Sequence, residues 1–155
     1  QGYSSAASDV YKRQVGGQIM DMANEKRSDV TLEEQEAMCA AKTGALIRAA
    51  CRLGCTAGFA SKEQIILADQ YGAKLGLAFQ IVDDILDVTS TSEVLGKPVG
   101  SDAEEGKTTF VTLLGLEEAQ RRAAALTEEA EQILAQFPEH EFLMALTQEL
   151  LRREK

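Results

Sequence analysis

Proline interrupts this 155-residue chain only twice, at Pro98 and Pro138. Because proline is the residue that most strongly ends helices, its scarcity leaves long stretches free to be helical. The most informative stretch runs from about residue 61 to residue 88 and has apolar residues at helical spacing. Ser61 and Gln64 form a capping box at its start. We therefore predict an all-α fold organised around this helix.

One face of the predicted 61–88 helix collects oxygen-bearing side chains. On a helical projection, Gln80, Asp84 and Asp87 all lie within about 100° of Asp83. Three carboxylates this close repel one another, which favours a bound cation between them. Oxygen ligands are those that Mg²⁺ prefers. The alternative interpretation is an acidic face that is simply solvated.

The same projection places Gly72 and Gly76 above the aspartates, which predicts a shallow strip free of side chains. This strip favours a binding site over a solvated acidic face. The opposite arc is apolar and predicts a face buried in the core. The residues of that arc are Leu75, Ala78, Phe79, Ile81, Val82, Ile85, Leu86 and Val88.

A second helix is predicted from about residue 32 to residue 59, with Thr31 and Glu34 as its capping box. It is apolar nearly all round and rich in alanine, glycine and cysteine, so we expect it to be central and closely packed. Lys42 within it needs an anionic partner, either a protein carboxylate or a bound anion. The alternative is that the Lys42 side chain extends to the surface.

Other residues of the second helix have structural interpretations. Cys39, Cys51 and Cys55 are predicted to be buried core thiols in a reducing compartment. The sequence does not favour a zinc site, because the chain has no Cys-x-x-Cys and its one histidine, His140, lies far along the sequence. Arg48 and Arg52 are four residues apart and predict a solvent-exposed edge.

The amino-terminal residues divide into two parts. Residues 1–14 do not begin with methionine and lack apolar periodicity, so we expect a foreign or disordered lead outside the fold. The domain is predicted to cover residues 15–155. Within it, Gln18 and Asp21 are three residues apart and share a helix face.

The longest predicted loop follows the aspartate-bearing helix and contains Lys97 and Lys107. Long loops in compact domains are often functional. Its Gly-Lys-Thr sequence does not predict a P-loop, because the first glycine of that motif is replaced by Ser101 and no strand precedes it.

Three further helices are predicted after this loop. The first is short and apolar and begins at Thr108 or Thr109. The second, from Leu116 to Phe137, is amphipathic and predicts an outer scaffold helix. Pro138 is predicted to open the last one, which ends in a basic tail. The cations of that tail either complement a helix C-terminus or reach an anionic substrate.

Charge and hydropathy exclude several classes of function. A net charge of −9 argues against nucleic acid as the main partner. No apolar run is long enough to span a bilayer. The first residues lack the features of a signal peptide. The sequence therefore predicts a soluble cytoplasmic protein.

The motifs GQIMD, KTGALI, GLAFQIVDDILD, LGKPVGSD and GKTT and the basic C-terminus, in this order, resemble the trans-isoprenyl diphosphate synthases of the polyprenyl synthetase family. The bacterial farnesyl diphosphate synthase group is the most similar. The resemblance covers residues 15–155. It implies an isoprenoid-synthase-type antiparallel helical bundle around a deep apolar pocket, usually in a homodimer.

The resemblance also implies a reaction. A member of this family is a prenyltransferase that joins isopentenyl diphosphate to an allylic diphosphate, dimethylallyl or geranyl, and farnesyl diphosphate is the expected product. Mg²⁺ assists ionisation of the allylic diphosphate. Lysines and Mg²⁺ can stabilise charge on the leaving group without proton transfer.

Residue roles follow from the same resemblance. Asp83 and Asp87, and less directly Asp84, would hold Mg²⁺. Lys42, Thr43 and Gln80 would be catalytic. The expected substrate-binding residues are Gln18, Asp21, Lys42, Lys97, Lys107, Arg152, Arg153 and Lys155.

One departure from the family pattern limits these expectations. The first aspartate-rich motif of the family is absent from the sequence, which predicts a C-terminal fragment that is inactive alone and exposes apolar faces. A non-catalytic helical subunit that partners a full-length prenyl synthase is the alternative. A terpene cyclase is a third and weaker one.

Overall fold

The computed structural model describes residues 2–25, 27–90 and 107–151, with side chains from residue 8 onward. Regular structure in these ranges is entirely helical, so the predicted all-α class is confirmed. A π-helical turn, Ala40–Gly44, joins the second helix to the third. The α-helices are α1 (Gly2–Asn24), α2 (Leu32–Cys39), α3 (Ala45–Ala57), α4 (Lys62–Thr89), α5 (Phe110–Leu114), α6 (Leu116–Leu134) and α7 (Glu141–Leu151).

Helix α1 includes most of residues 1–14, which we expected to lie outside the fold. It runs without a break from Gly2 to Asn24, so residues 2–14 continue the helix that carries Gln18 and Asp21. A helix can pass through a stretch without apolar periodicity because its backbone hydrogen bonds are local. The foreign origin of residues 1–14 stays a prediction.

Side-chain caps fix the starts of three helices, as the sequence predicts. The Thr31 hydroxyl accepts from Glu34 N at 3.2 Å, and the Glu34 carboxylate accepts from Thr31 N at 2.9 Å. The same reciprocal pair occurs between Ser61 and Gln64, again at 3.2 and 2.9 Å. Thr109 begins α5, and its hydroxyl accepts from Thr112 N at 3.1 Å. These bonds satisfy amide groups that helices otherwise leave unpaired at their first turn.

Helix α4 is the centre of the structure and packs against α2, α3, α5, α6 and α7. Its predicted apolar arc is confirmed for the most part, since Leu75, Ala78, Ile81 and Val82 are each 8% exposed or less. Phe79, Ile85 and Leu86 are half-buried, and Val88 is 37% exposed. The partners of the arc on α5 and α6 are Phe110, Ala119, Ala123, Leu126, Ala130 and Leu134.

Helix α3 is not central, contrary to the prediction for the 32–59 helix. Met38 and Cys39 of α2 are buried, but no residue of α3 is. Leu46 and Leu53 of α3 are 55% and 64% exposed. The sequence pattern could not separate a helix buried on all sides from one that packs on one side and presents apolar residues on the other.

The two arginines of α3 have different environments. Arg48 is half-buried and donates to both Asp69 oxygens, from Nε at 3.1 Å and Nη2 at 2.6 Å. The predicted solvent-exposed edge is therefore wrong at Arg48, because a carboxylate on α4 lies opposite the guanidinium. Arg52 is exposed, as predicted. The hydrogen bond from Arg48 to Asp69 also raises the pKa of Arg48.

The carboxyl-terminal helices are shorter than the sequence suggests. Helix α6 ends at Leu134 rather than Phe137, and Pro138 lies in the turn before α7 instead of opening it. Glu139, with a φ of 56°, adopts the left-handed conformation in that turn, so a helix cannot begin there. A buried hydrogen bond of 2.7 Å between the Tyr71 and Thr147 hydroxyls fixes α7 on α4. No helix in the described ranges is long and apolar enough to cross a membrane.

Candidate functional site

A polar cavity of about 340 Å³ lies where α1, α2, the π-helical turn and α4 meet the residues before α5. Six predicted site residues line it: Gln18, Asp21, Lys42, Gln80, Asp84 and Lys107. The other lining residues are Asn24, Glu25, Gln35, Met38, Thr108 and Thr109. The structure therefore brings together residues from four separate stretches of the sequence.

Lys42 lies in the π-helical turn and forms a salt bridge with Asp21 of α1. A protein carboxylate was one of the two anionic partners that the sequence predicted for this lysine. The contact needs close approach of the two helices, and Gly17 allows it. A Cβ at Gly17 would lie 2.6 Å from Lys42 Cα. Both members of the salt bridge stay partly exposed, with side-chain exposures of 37% for Lys42 and 25% for Asp21.

The buried carboxylate of Asp84 on α4 forms a hydrogen bond with the start of α5. It is 5% exposed. Its Oδ1 accepts from Gln80 Nε2 at 3.0 Å, and its Oδ2 accepts from Phe110 N at 2.7 Å. The second bond satisfies an amide at the start of α5 and fixes that helix against α4. Asp84 thus orients the Gln80 amide and the residues before α5 at the cavity wall.

The three aspartates of the DDILD motif have different environments. Asp83 is exposed, whereas Asp84 and Asp87 are 5% and 3% exposed. Among the described residues, no three His, Cys, Asp or Glu side chains are placed to hold a metal ion. The oxygen-only chemistry suits a hard cation, but these side chains do not form a metal cluster by themselves. Asp84 lines the polar cavity, whereas Asp83 and Asp87 do not.

The glycines above the aspartates do not form the open strip that the sequence predicted. Both are buried, because the backbone of the neighbouring helix occupies the space. A Cβ at Gly72 would lie 2.9 Å from Arg48 Cα, and one at Gly76 would lie 3.0 Å from Gly44 Cα. The glycines therefore permit close packing of α3 and the π-helical turn on α4, and the polar cavity lies further along α4, at Gln80 and Asp84.

Cys39 lies behind the cavity and stays protonated. Burial, together with the negative charges of Asp84 and Asp21, raises the pKa of its thiol to about 12. Cys51, at the contact of α3 with α4, has its pKa raised to about 11, mainly by burial. Because a thiol must ionise to act as a nucleophile or metal ligand, neither cysteine has the chemistry of a reactive residue. The interpretation of Cys39 as a buried core thiol is confirmed, and Cys51 and Cys55 are half-buried.

Five further predicted site residues do not contribute to this cavity in the described structure. Thr43 is half-buried in the π-helical turn, beside Lys42. Lys97, Arg152, Arg153 and Lys155 fall outside the described residues.

Sequence reasoning missed two buried polar residues of the cavity wall, Asn24 and Gln35. Their spacing could have revealed them. Asn24 follows Asp21 by three residues and Gln35 precedes Lys42 by seven, so in uninterrupted α-helices each would share a face with a predicted site residue.

The fold is similar to the folds of prenyl diphosphate synthases of known structure. Heptaprenyl diphosphate synthase from Staphylococcus aureus superposes with a TM-score of 0.93 at 23% identity, covering 98% of this chain and 60% of that one. Geranylgeranyl pyrophosphate synthetase from Pyrococcus horikoshii superposes with a TM-score of 0.88 at 27% identity, covering 97% and 58%. The predicted isoprenoid-synthase type of helical bundle is confirmed.

Residues 3–145 match the polyprenyl synthetase family, and the chain belongs to this family. The match includes most of residues 1–14. Farnesyl diphosphate synthase from Escherichia coli is 42% identical over 145 residues, which are 90% of this chain and 48% of that protein. Geranylgeranyl diphosphate synthase from Cyanophora paradoxa is 42% identical over 79% of this chain and 41% of its own length. The chain thus spans about half the length of these relatives, whose names give different product lengths.

Proposed function

We propose that this chain forms one wall of the active site of a prenyltransferase that condenses isopentenyl diphosphate with an allylic diphosphate. The observation that carries the proposal is the polar cavity, in which Lys42 and Lys107 share a wall with Gln80 and Gln18. Two cations and two amides in one concave site suit a diphosphate, whose oxygens accept several hydrogen bonds at once. Farnesyl diphosphate is the product that we propose from the sequence resemblance.

In this proposal the Lys42 ammonium binds diphosphate oxygens while Asp21 holds it in position. An ammonium group has three donors, so its salt bridge to Asp21 leaves further donors for a ligand. Thr43 is proposed to lie near the developing allylic cation, as the resemblance implies. Gln80 is held by Asp84 and presents its amide at the same wall.

Mg²⁺ is the proposed cofactor, and Asp83 is the residue that would meet it. Mg²⁺ commonly uses one or two protein carboxylates and takes its other ligands from substrate phosphates and water. When bound, it would offset negative charge on the diphosphate leaving group. Asp84 is reassigned to the positioning of Gln80 and of the start of α5, because its two oxygens accept bonds from those groups. We propose that Asp87, 3% exposed, serves the metal less directly than Asp83.

A chimeric protein tests the proposal. The chain is joined to the part of Escherichia coli farnesyl diphosphate synthase that it does not match. The products from isopentenyl and dimethylallyl diphosphate are then measured with and without Mg²⁺. We expect Mg²⁺-dependent prenyl products, and a loss of about three orders of magnitude or more in rate for Asp83→Ala, since it removes charge stabilisation at the leaving group.

Asp69→Asn is the matched control, because Asp69 pairs with Arg48 away from the cavity and its replacement should leave the rate within a few-fold. Near-normal turnover of Asp83→Ala would contradict the proposed metal role. A chimera that folds but makes no prenyl product would contradict the proposed reaction.

A non-catalytic helical subunit is the second candidate. It is favoured by the lack of a three-ligand metal cluster in the ranges that the structure describes. In that case the 155-residue chain itself should bind a full-length prenyl synthase and alter its products. The Asp83→Ala substitution should then have no effect on those products.

A further inference from the structure

Two residues one turn apart on α1 contact Lys42 at its two ends. Asp21 forms a salt bridge with the Lys42 ammonium. Gly17 lies against the Lys42 backbone, since a Cβ at Gly17 would lie 2.6 Å from Lys42 Cα and 2.8 Å from Ala41 C. Residues four apart share a helix face. A single face of α1 therefore meets both the backbone and the charged end of this lysine.

The contact at Gly17 is closer than the contacts that Gly72 and Gly76 of α4 make. A Cβ at Gly72 would lie 2.9 Å from its nearest neighbour, and one at Gly76 would lie 3.0 Å away. At Gly16, the preceding residue of α1, no atom of the described residues lies within 4 Å of a Cβ. The atoms that face Gly17 are backbone and cannot move alone. A side chain at residue 17 would therefore have to separate α1 from the π-helical turn.

This separation would displace the Lys42 ammonium. Lys42 belongs to the π-helical turn, and its side chain lines the polar cavity. A hydrogen bond between charged groups has a length of about 2.7–2.9 Å, so a small shift weakens it. Misplacement of a group by roughly 1 Å can lower an enzyme rate by about two orders of magnitude. The packing of α1 on the π-helical turn therefore has a direct effect on the geometry of the site.

We infer that Gly17 is a positioning residue, which together with Asp21 holds Lys42 at both ends and directs its ammonium into the polar cavity. The inference rests on the proposed function, in which that ammonium binds diphosphate oxygens. Gly17 does not line the cavity in the described structure, so its effect on a ligand must pass through Lys42. A glycine with only a packing role would change the stability of the chain and not its affinity for the ligand.

A double-mutant cycle on pyrophosphate binding tests the inference. Isothermal titration calorimetry at fixed ionic strength measures the affinity of the 155-residue chain for inorganic pyrophosphate. Gly17→Ala and Lys42→Met should each weaken binding about tenfold, the effect of losing one hydrogen bond to a charged group. In the Lys42→Met background, Gly17→Ala should have no further effect, because it acts through the lysine. An equal loss of affinity in both backgrounds would overturn the inference.

Gly72→Ala and Gly16→Ala are the matched controls. Gly72→Ala also overlaps a backbone atom, but at Arg48 and away from the cavity. It should lower the midpoint of thermal unfolding and leave the pyrophosphate affinity unchanged. Gly16→Ala adds a methyl group to α1 without a close neighbour and should not weaken binding. If Gly72→Ala weakens pyrophosphate binding as much as Gly17→Ala does, the loss is a general result of destabilisation and the inference is wrong.

Asp21→Glu tests the charged end of Lys42 without overlapping the backbone. It keeps the negative charge but lengthens the side chain by one methylene, which moves the ammonium. The affinity for pyrophosphate should fall, and this fall should also disappear in the Lys42→Met background. If Gly17→Ala does not fold, Asp21→Glu decides the question, and an unchanged affinity in that variant disproves the positioning of Lys42 by α1.

Lys42→Met alone separates the inference from the proposed function. If the unmodified chain does not bind pyrophosphate, or if Lys42→Met leaves its binding unchanged, the proposed diphosphate site is disproved. If Lys42→Met weakens binding while Gly17→Ala and Asp21→Glu bind like the unmodified chain, only the positioning role is disproved and the diphosphate site stands.

Discussion

On one side of α4 the contacts are made by apolar side chains of α5 and α6, whereas on the other side the backbone of α3 comes so close that glycine is required. The first side buries Phe110 completely, together with alanine and leucine residues of α6. The second side has no buried residue on α3 and depends on Gly72 and Gly76.

The difference separates two kinds of packing on a single helix. Burial of apolar area is the main source of stability, so the side facing α5 and α6 should dominate the free energy of unfolding. Close approach of two helix backbones fixes the position of one helix relative to the other. The side facing α3 and the π-helical turn should therefore mainly hold polar groups such as Arg48 and Lys42 in place. Three measurements test this division, from the largest expected effect to the smallest.

Phe110→Ala tests the apolar side. Removal of a fully buried aromatic side chain leaves a cavity and should lower the free energy of unfolding by about 3–5 kcal/mol. Urea denaturation of the 155-residue chain measures this loss. Phe142→Ala, at a site that is 75% exposed, is the control and should change the stability by less than about 0.5 kcal/mol. Equal losses in the two variants would show that α5 is not part of the stabilising core.

Gly72→Ala tests the glycine-dependent side. Its new methyl group would lie 2.9 Å from Arg48 Cα, which is backbone and cannot move alone. The overpacking should cost about 1–3 kcal/mol of stability. Gly54→Ala on α3 is the control, since no atom of the described residues lies within 4 Å of a Cβ there. It should stabilise the chain by about 0.5–1 kcal/mol through helix propensity. An increase in the free energy of unfolding in both variants would mean that α3 and α4 are not closely packed at Gly72.

The buried thiols predict a fall in stability at alkaline pH. Burial raises the pKa of Cys39 to about 12 and that of Cys51 to about 11. In the unfolded chain both thiols ionise near pH 8.5, so between that pH and the folded pKa the unfolded state binds fewer protons. Their contribution to stability is therefore complete below about pH 8.5 and is lost as pH rises toward 11–12.

The measurement is the free energy of unfolding as a function of pH, compared between the unmodified chain and Cys39→Ala. Other groups titrate in the same range, so the difference between the two curves is the informative quantity. That difference should decrease above pH 9 by up to about 1.4 kcal/mol per pH unit. Parallel curves would mean that the Cys39 thiol is accessible to solvent.

Local sequence patterns predicted the helices well because their causes are local. The capping boxes at Thr31 and Ser61, and the periodic apolar arc of α4, depend on residues a few positions apart. Errors occurred where a distant segment decided the environment. Asp84 is buried because the amide of Phe110, 26 residues later, donates to it. Gly72 is covered because α3 approaches it, and no spacing within α4 indicates that.

Prediction of the candidate site had the same limit, because distant residues decide the environment of its side chains. Lys42 was singled out because a lysine in an apolar helix needs an anion, and its carboxylate partner lies on α1. Asn24 and Gln35 were missed because amide residues are common on surfaces, and only the three-dimensional structure shows that both are buried.

The π-helical turn at Ala40–Gly44 makes the packing sensitive to the number of residues in this segment. A π-helical turn contains one more residue than an α-helical turn, and such turns behave as single-residue insertions. The extra residue lets α2 direct Met38 and Cys39 into the core while α3 still directs Cys51 toward α4. Deletion of one residue here would restore an ordinary helix, rotate everything after it by about 100°, and separate Lys42 from Asp21. The length of this segment therefore matters more to the contact between Lys42 and Asp21 than the identity of its alanines does.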